Sequence, residues 1–294
     1  MHLVDHLTSS YIPCGDVRLH VMQAGPAEGP PAILLHGFPE FWYGWRHQIL
    51  PLAEAGFRVI IPDQRGYNES DKPPDTSAYM LDHLARDIVV LMDSLGHARV
   101  HLAGHDWGAA VAWEIAETYP ERLHSLTILN VPHTRVMDRA MQRANLRQMR
   151  KSWYIATFQI PGLAERWLPC KDYQALEQLF LKRSMPGAFT AEDFVQYRVA
   201  WGQPNAIPSM VAWYRAAAQS LGERAKRPWP QITVPTRILW GAQDAFVDAR
   251  LAEQSAALCN HATLKLFPEN GHFVQHEQPE AVASELIDWM TQHL

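Results

Sequence analysis

The sharpest chemistry in the sequence lies in Val100-His101-Leu102-Ala103-Gly104-His105-Asp106-Trp107-Gly108-Ala109-Ala110. A β-rich run enters, a helical pattern leaves, and glycines stand two residues before and two after Asp106. Such a nucleophile elbow is tight and strained, so only small residues fit where strand and helix crowd together. It lifts the central side chain above the sheet edge, where the helix N-terminus favours negative charge. A carboxylate at that point is an oxygen nucleophile that needs no base to activate it at pH 7. Serine suits attack on an acyl carbon, whereas a carboxylate can attack a saturated carbon bearing a leaving group and form an alkyl-enzyme ester. Water must then cleave that ester at its carbonyl, which calls for a general base and an oxyanion hole.

Candidates for both exist. Gly271-His272-Phe273 follows a late strand pattern and the loop Pro268-Glu269-Asn270, which makes His272 the expected base. Asp244, in Trp240-Gly241-Ala242-Gln243-Asp244, is the expected acid that orients the imidazole. Asp248 competes, but Asp244 lies nearer the end of its strand. The order nucleophile, acid, histidine is that of an elbow-type triad. His36-Gly37-Phe38-Pro39 follows another strand, and the backbone amides of Phe38 and Trp107 are expected to converge on the oxyanion. His36 and His105 flank glycines and read as loop braces, and most of the other histidines read as surface or structural groups.

The elements that must hold these residues alternate. Strand-like runs cover Val17–Met22, Ala32–His36, Arg58–Pro62, Val100–Ala103 and Ser125–Val131, with helical patterns at Trp45–Ala55, Met80–Leu95 and Trp107–Thr118. The alternation resumes with strands Thr236–Trp240 and Thr263–Phe267 and helices Ala249–Leu258 and Glu280–His293. This predicts an α/β fold with a mostly parallel sheet flanked by helices. The segment 133–228 departs from it and reads as several helices punctuated by Pro161-Gly162, Pro186-Gly187, Pro204 and Pro208. It carries 15 basic and 7 acidic residues, or +8, while the other 198 residues carry 11 and 24, or −13. The expected division is therefore a core of residues 1–132 and 229–294 and an inserted helical cap (lid) of residues 133–228, with Pro228-Trp229-Pro230 as the exit linker.

Composition excludes other classes. Of the 294 residues 47% are hydrophobic and 19% charged, enough apolar side chain for a large core. A net charge of −5 argues against a nucleic-acid binder. No uncharged apolar run approaches the ~18 residues of a membrane span, and the first residues lack the pattern of a signal peptide. Cys14, Cys170 and Cys259 lie far apart, with no metal-knuckle or disulfide spacing, so a cytoplasmic location is expected.

Taken together, His36-Gly37-Phe38-Pro39-Glu40, Asp63-Gln64-Arg65-Gly66-Tyr67, Gly104-His105-Asp106-Trp107-Gly108 and Gly271-His272 resemble the soluble epoxide hydrolases of the α/β-hydrolase superfamily, over about residues 16–292. The resemblance implies that two cap tyrosines donate hydrogen bonds to the epoxide oxygen, and assigns that role to Tyr154 and Tyr214. A phenol, neutral at pH 7, suits an oxygen gaining negative charge. The expected reaction converts an epoxide and water to a vicinal diol through an aspartyl ester, with no metal or organic cofactor. Phe38, Trp107, Trp153 and Trp213 are expected to line the pocket and favour an apolar or aryl small-molecule epoxide; a homo-oligomer is left open. Haloalkane dehalogenases share the aspartate and histidine, and Trp107 could bind halide, but their loop usually reads His-Gly-Asn-Pro where this chain has Phe38. Haloacetate dehalogenases place arginines just after the nucleophile, where this chain has Trp107 and Ala110. A non-catalytic scaffold would be marked by loss of a triad member, and none is lost.

Arg135, Arg139, Arg143, Arg147 and Lys151 recur every four residues. On one helix they would form a basic stripe, either solvated, docked on the acidic core, or free to meet a partner subunit or an anionic surface.

Overall fold

The computed structural model describes residues 3–142, 146–151, 153–224 and 226–294, with Val4, Leu146 and Trp153 described by backbone alone. Eight strands form one sheet: β1 (Thr8–Cys14), β2 (Val17–Ala24), β3 (Pro31–Leu35), β4 (Arg58–Pro62), β5 (Val100–His105), β6 (Leu123–Leu129), β7 (Thr236–Gly241) and β8 (Ala262–Phe267). Their spatial order is β1-β2-β4-β3-β5-β6-β7-β8. The first three in that order pair antiparallel; all pairs from β4 to β8 are parallel. Strand β1 escaped the sequence reading. It is an edge strand whose residues are mostly exposed, so it lacks the apolar run that marks the inner strands.

Parallel strands covered on both faces bury nearly every residue, and all six of β5 are buried, with His101 paired to Ser125 and His105 to the His272 carbonyl. Ile33, Ile60, Leu102, Ile128 and Ile238 point to one face. There they meet α2 (Leu81–Ser94), α3 (Trp107–Thr118) and α11 (Arg250–Ala256). Their chain neighbours Leu34, Ile61, Ala103, Leu129 and Leu239 point the other way, toward α1 (Arg46–Glu54) and α13 (Pro279–Thr291).

Between β6 and β7 the chain makes α4 (Thr134–Gln142), α5 (Leu146–Lys151), α6 (Trp153–Phe158), α7 (Leu163–Trp167), α8 (Cys170–Arg183), α9 (Ala191–Trp201) and α10 (Ala206–Arg224). A short α12 (Val274–Glu277) precedes α13. Buried residues of the insert, among them Phe180, Tyr197, Trp201 and Tyr214, join the apolar cluster of the first sheet face, so insert and sheet share a continuous core.

The basic stripe is not a single free face. α4 ends at Gln142 and α5 starts at Leu146, and Arg143 lies outside the described residues. Arg135 is buried, hydrogen-bonds the Arg224 carbonyl and stacks on Trp229, over which Arg139 also lies. Arg147 faces Asp248 at 3.9 Å, and Lys151 donates to the carbonyls of Asp244 and Val247. Four of the five cations therefore make contacts within the chain: Arg135 and Lys151 serve carbonyls, Arg147 faces a carboxylate and Arg139 lies over an indole.

Candidate active site

The site stands at the carboxyl ends of the parallel strands, where open α/β sheets gather loops. Strand β5 ends at His105, and Asp106 follows with φ 50° and ψ −122°. That left-handed backbone costs a non-glycine residue roughly 1–3 kcal/mol. The neighbouring glycines make it possible. A Cβ on Gly104 would lie 2.4 Å from the Gly108 carbonyl oxygen, and one on Gly108 would lie 2.2 Å from that of Leu35. Only hydrogen fits where α3 leaves across β3 and β5.

Asp106 is gripped from two sides. The Phe38 backbone N–H donates to Oδ1 at 2.7 Å, and His272 Nε2 lies 3.3 Å from Oδ2. Trp107 opens α3, so its amide has no acceptor within the helix. His272 Nδ1 is 2.8 Å from Asp244 Oδ2. An ionised carboxylate only accepts, so Nδ1 carries the proton in that bond. Asp244 also accepts from the amides of Phe246 (2.7 Å) and Val247 (2.9 Å) and from Asn130 Nδ2 (2.8 Å). Asp248 instead pairs with Arg250 at 2.7 Å, away from the imidazole.

These contacts set the charges. Burial raises the carboxyl pKa of Asp106, but His272 and the Phe38 amide more than offset it and hold it below the ordinary value. Asp244 behaves alike, with His272 and Asn130 outweighing burial. Burial disfavours the His272 imidazolium, yet Asp244 and Asp106 raise its pKa to about 10. The resting centre at pH 7 is thus an imidazolium between two carboxylates.

Above Asp106 the insert supplies Tyr154 from α6 and Tyr214 from α10, ring centroids 6.2 Å apart. Burial, and then the charge of Asp106, raises the Tyr154 phenol above its ordinary value. Burial raises Tyr214 too, with Tyr154 and Asp106 adding to it. Tyr214 is wedged edge-on against Phe38 (5.3 Å), Trp107 (5.0 Å) and Phe158 (4.9 Å).

A cavity of about 310 Å³ opens from Asp106 and is lined by Trp107, Trp213, Tyr154 and Tyr214. Trp213 also anchors the insert, its Nε1 donating to the Arg65 carbonyl at 3.0 Å. Phe38 lies instead on a second, much smaller void beside His272. The side chain of Trp153 lies outside the described residues.

Among the bracing groups, Asn130, Gln275 and His276 were not singled out by sequence reasoning. Asn130 ends β6 with φ 56°, holds Asp244, and accepts from the Gly241 amide at 3.1 Å through Oδ1. An asparagine in Asn130-Val131-Pro132, directly after a strand, is the available signal, because its short side chain tolerates left-handed backbone. Glu40 is fully buried and accepts from Tyr197 of α9 (2.7 Å), from His276 (2.7 Å) and from Gln275 (3.1 Å). Arg46 donates to His276 Nδ1 at 2.8 Å, which leaves Nε2–H to face Glu40. Gln275 in turn meets His105 Nδ1 at 3.1 Å, and His105 Nε2 reaches the His272 carbonyl at 2.9 Å. This chain ties the insert to the histidine loop. His36 is likewise a brace, its Nε2 accepting from the Gln64 amide at 3.1 Å.

The alpha/beta hydrolase fold family matches residues 30–279. The AB hydrolase superfamily protein YfhM of Bacillus subtilis (strain 168) is 41% identical over 287 residues, spanning 98% of this chain and 99% of that protein. Epoxide hydrolase 4 of Mus musculus is 37% identical over 272 residues, 90% of this chain and 74% of its own. A crystal structure of a Bacillus megaterium epoxide hydrolase with an inhibitor superposes with a TM-score of 0.87 at 29% identity, covering 96% of this chain and 100% of that one. No helix among the described residues is long and apolar enough to cross a membrane.

Proposed function

Because the chain belongs to the epoxide-hydrolase family of the α/β-hydrolase fold, we propose that it hydrolyses epoxides to vicinal diols through an ester on Asp106. The observation that carries this reading is one carboxylate, held by the Phe38 amide and His272, beneath the paired phenols of Tyr154 and Tyr214.

Oδ1 sits on the Phe38 amide, so Oδ2 is the attacking atom. It bonds to an epoxide carbon as that carbon's bond to the ring oxygen breaks. The oxygen takes a proton from one of the two phenols, whose raised pKa keeps them protonated and able to donate. Esterification removes the charge of Asp106, one of the two carboxylates that sustain the His272 imidazolium. The histidine then gives its proton to the phenolate and becomes a neutral base. It next takes a proton from water, whose oxygen attacks the ester carbonyl while the amides of Phe38 and Trp107 hold the oxyanion. Collapse of the tetrahedral centre expels the alcohol oxygen, which takes the proton of the new carboxyl group. Asp106 is again a carboxylate and His272 an imidazolium, so protons and charge balance. Asp244 keeps the imidazole in place throughout.

The helical insert, which we take as residues 133–228, brings both phenols and most of the cavity wall. The lining is largely apolar, which supports an apolar or aryl substituent.

Oxygen labelling tests the scheme. In one turnover with enzyme in excess in ¹⁸O-water, the label enters Asp106 and the first diol carries none. Label appearing directly in that diol overturns the ester. A parallel assay of styrene-type epoxides and haloalkanes, scoring diol and halide, separates this activity from dehalogenation. Halide release without diol overturns the epoxide reading.

A further inference from the structure

Two chambers of very different size meet at Asp106, with Tyr154, Tyr214 and Phe246 lining both. The larger, about 310 Å³, runs from Trp107 under α4 and α10 and is walled by Leu81, Met137, Ala217 and Leu221. The smaller, about 10 Å³, also adjoins the carboxylate and is lined by Phe38, Leu179, His272 and Phe273. For scale, an apolar hollow of roughly 150 Å³ holds benzene and one of about 10–15 Å³ holds a single water. The first chamber takes about two ring-sized groups; the second takes a water or a methyl group.

The site's own chemistry turns this asymmetry into a rule for substrates. Asp106 beneath the epoxide and the phenols above it fix the axis of attack. Substituents on the two ring carbons must then leave sideways, one toward each chamber. The small chamber also adjoins His272, where the hydrolytic water must stand, so a bulky group there would both collide with Leu179 and displace that water.

We propose that the enzyme is selective for epoxides with a bulky apolar substituent on one ring carbon only, and that Leu179 sets the limit on the other carbon at about a methyl group. The inference rests on the epoxide reading of the site.

A substrate panel tests it on the native enzyme. Styrene oxide and trans-β-methylstyrene oxide should have kcat/KM values within about tenfold of each other, and trans-stilbene oxide should fall at least about 100-fold below them, the discrimination a pocket wall can supply. Leu179→Ala should raise the ratio of kcat/KM for stilbene oxide to that for styrene oxide by about tenfold or more. Ala217→Phe, which fills the large chamber, should lower the ratio for phenyl 2,3-epoxypropyl ether against 1,2-epoxypropane by about tenfold or more. Equal turnover of stilbene oxide and styrene oxide by the native enzyme overturns the selectivity while leaving epoxide hydrolysis intact. A stilbene oxide ratio unmoved in a folded Leu179→Ala variant removes Leu179 from its role. No turnover of any epoxide overturns the reading beneath it as well.

Discussion

His272 reaches Asp106 at 3.3 Å through Nε2 while its Nδ1 stays 2.8 Å from Asp244. One imidazole therefore senses the charge of Asp106 directly, so in the proposed reaction esterification of Asp106 turns the histidine from an acid into a base. His272→Gln removes the base but leaves Asp106 and both phenols in place. It should still open an epoxide and accumulate enzyme heavier by the mass of one substrate, with hydrolysis slowed by about 10²–10⁴. Intact-mass spectrometry reads the adduct; no adduct with a substrate the native enzyme turns over would sink the sequence of steps.

The phenols act on the first step alone. Tyr154→Phe and Tyr214→Phe should each lower the rate of ester formation by roughly 10²-fold, and the double variant should abolish it, since an alkoxide without a proton donor is a poor leaving group. Stopped-flow fluorescence of the site tryptophans follows that step. Full activity in the double variant would remove both tyrosines from the mechanism.

The pH dependence of ester formation follows from the shifted groups. Asp106 is held below its ordinary value, so it is ionised throughout the neutral range, and both phenols are raised, so they stay protonated past pH 10. Ester formation should be flat between about pH 5 and 9. Stability should behave differently. His272 has a folded pKa of about 10 against an ordinary 6.5. Its stabilising contribution is fully present below about pH 6.5 and is lost as pH rises through about 10. Thermal melts should show a smaller alkaline decline in His272→Gln than in the native enzyme between those limits.

Asn130 joins Asp244 to the Gly241 amide. Asn130→Ala would leave a buried amide and a carboxylate oxygen each short of a partner, a cost of about 1–3 kcal/mol per group. It should slow ester hydrolysis more than ester formation, which single-turnover kinetics separates. Equal slowing of both steps would make Asn130 a purely structural residue.

The elbow glycine offers a stability test with its own control. A methyl group on Gly108 would strike the Leu35 carbonyl at 2.2 Å, whereas one on Gly222, in α10, would meet nothing within 4 Å. Gly108→Ala should destabilise by about 1–3 kcal/mol, and Gly222→Ala should stabilise by about 0.5–1 kcal/mol. Urea midpoints at unchanged slope decide both.

Much of this molecule was legible in the chain because backbone constraints are local. Gly104 and Gly108 around Asp106 announce a strained strand-to-helix turn, since only glycine escapes the clash there. The inner strands β3 to β7 announce themselves by largely apolar runs, because burial on both faces admits few polar residues; exposed β1 gives no such signal. The charge break at residues 133–228 coincides with the point where the alternating pattern stops. Relations between distant segments were decided only in three dimensions. Asp244 and Asp248 are four residues apart with the same chemistry, and packing alone puts the first 2.8 Å from His272 and the second beside Arg250. A regular spacing of cations suggested a free face, yet folding spends Arg135, Arg147 and Lys151 on carbonyls and a carboxylate of other elements. Nor does the order of residues hold a volume. Leu179 from α8 and Phe38 from the loop after β3 are 141 positions apart in the chain and line one small chamber beside Asp106 together. Residue type and spacing name a reaction because reactivity belongs to individual groups; the shape of what can react belongs to the empty space between them, which only tertiary packing creates.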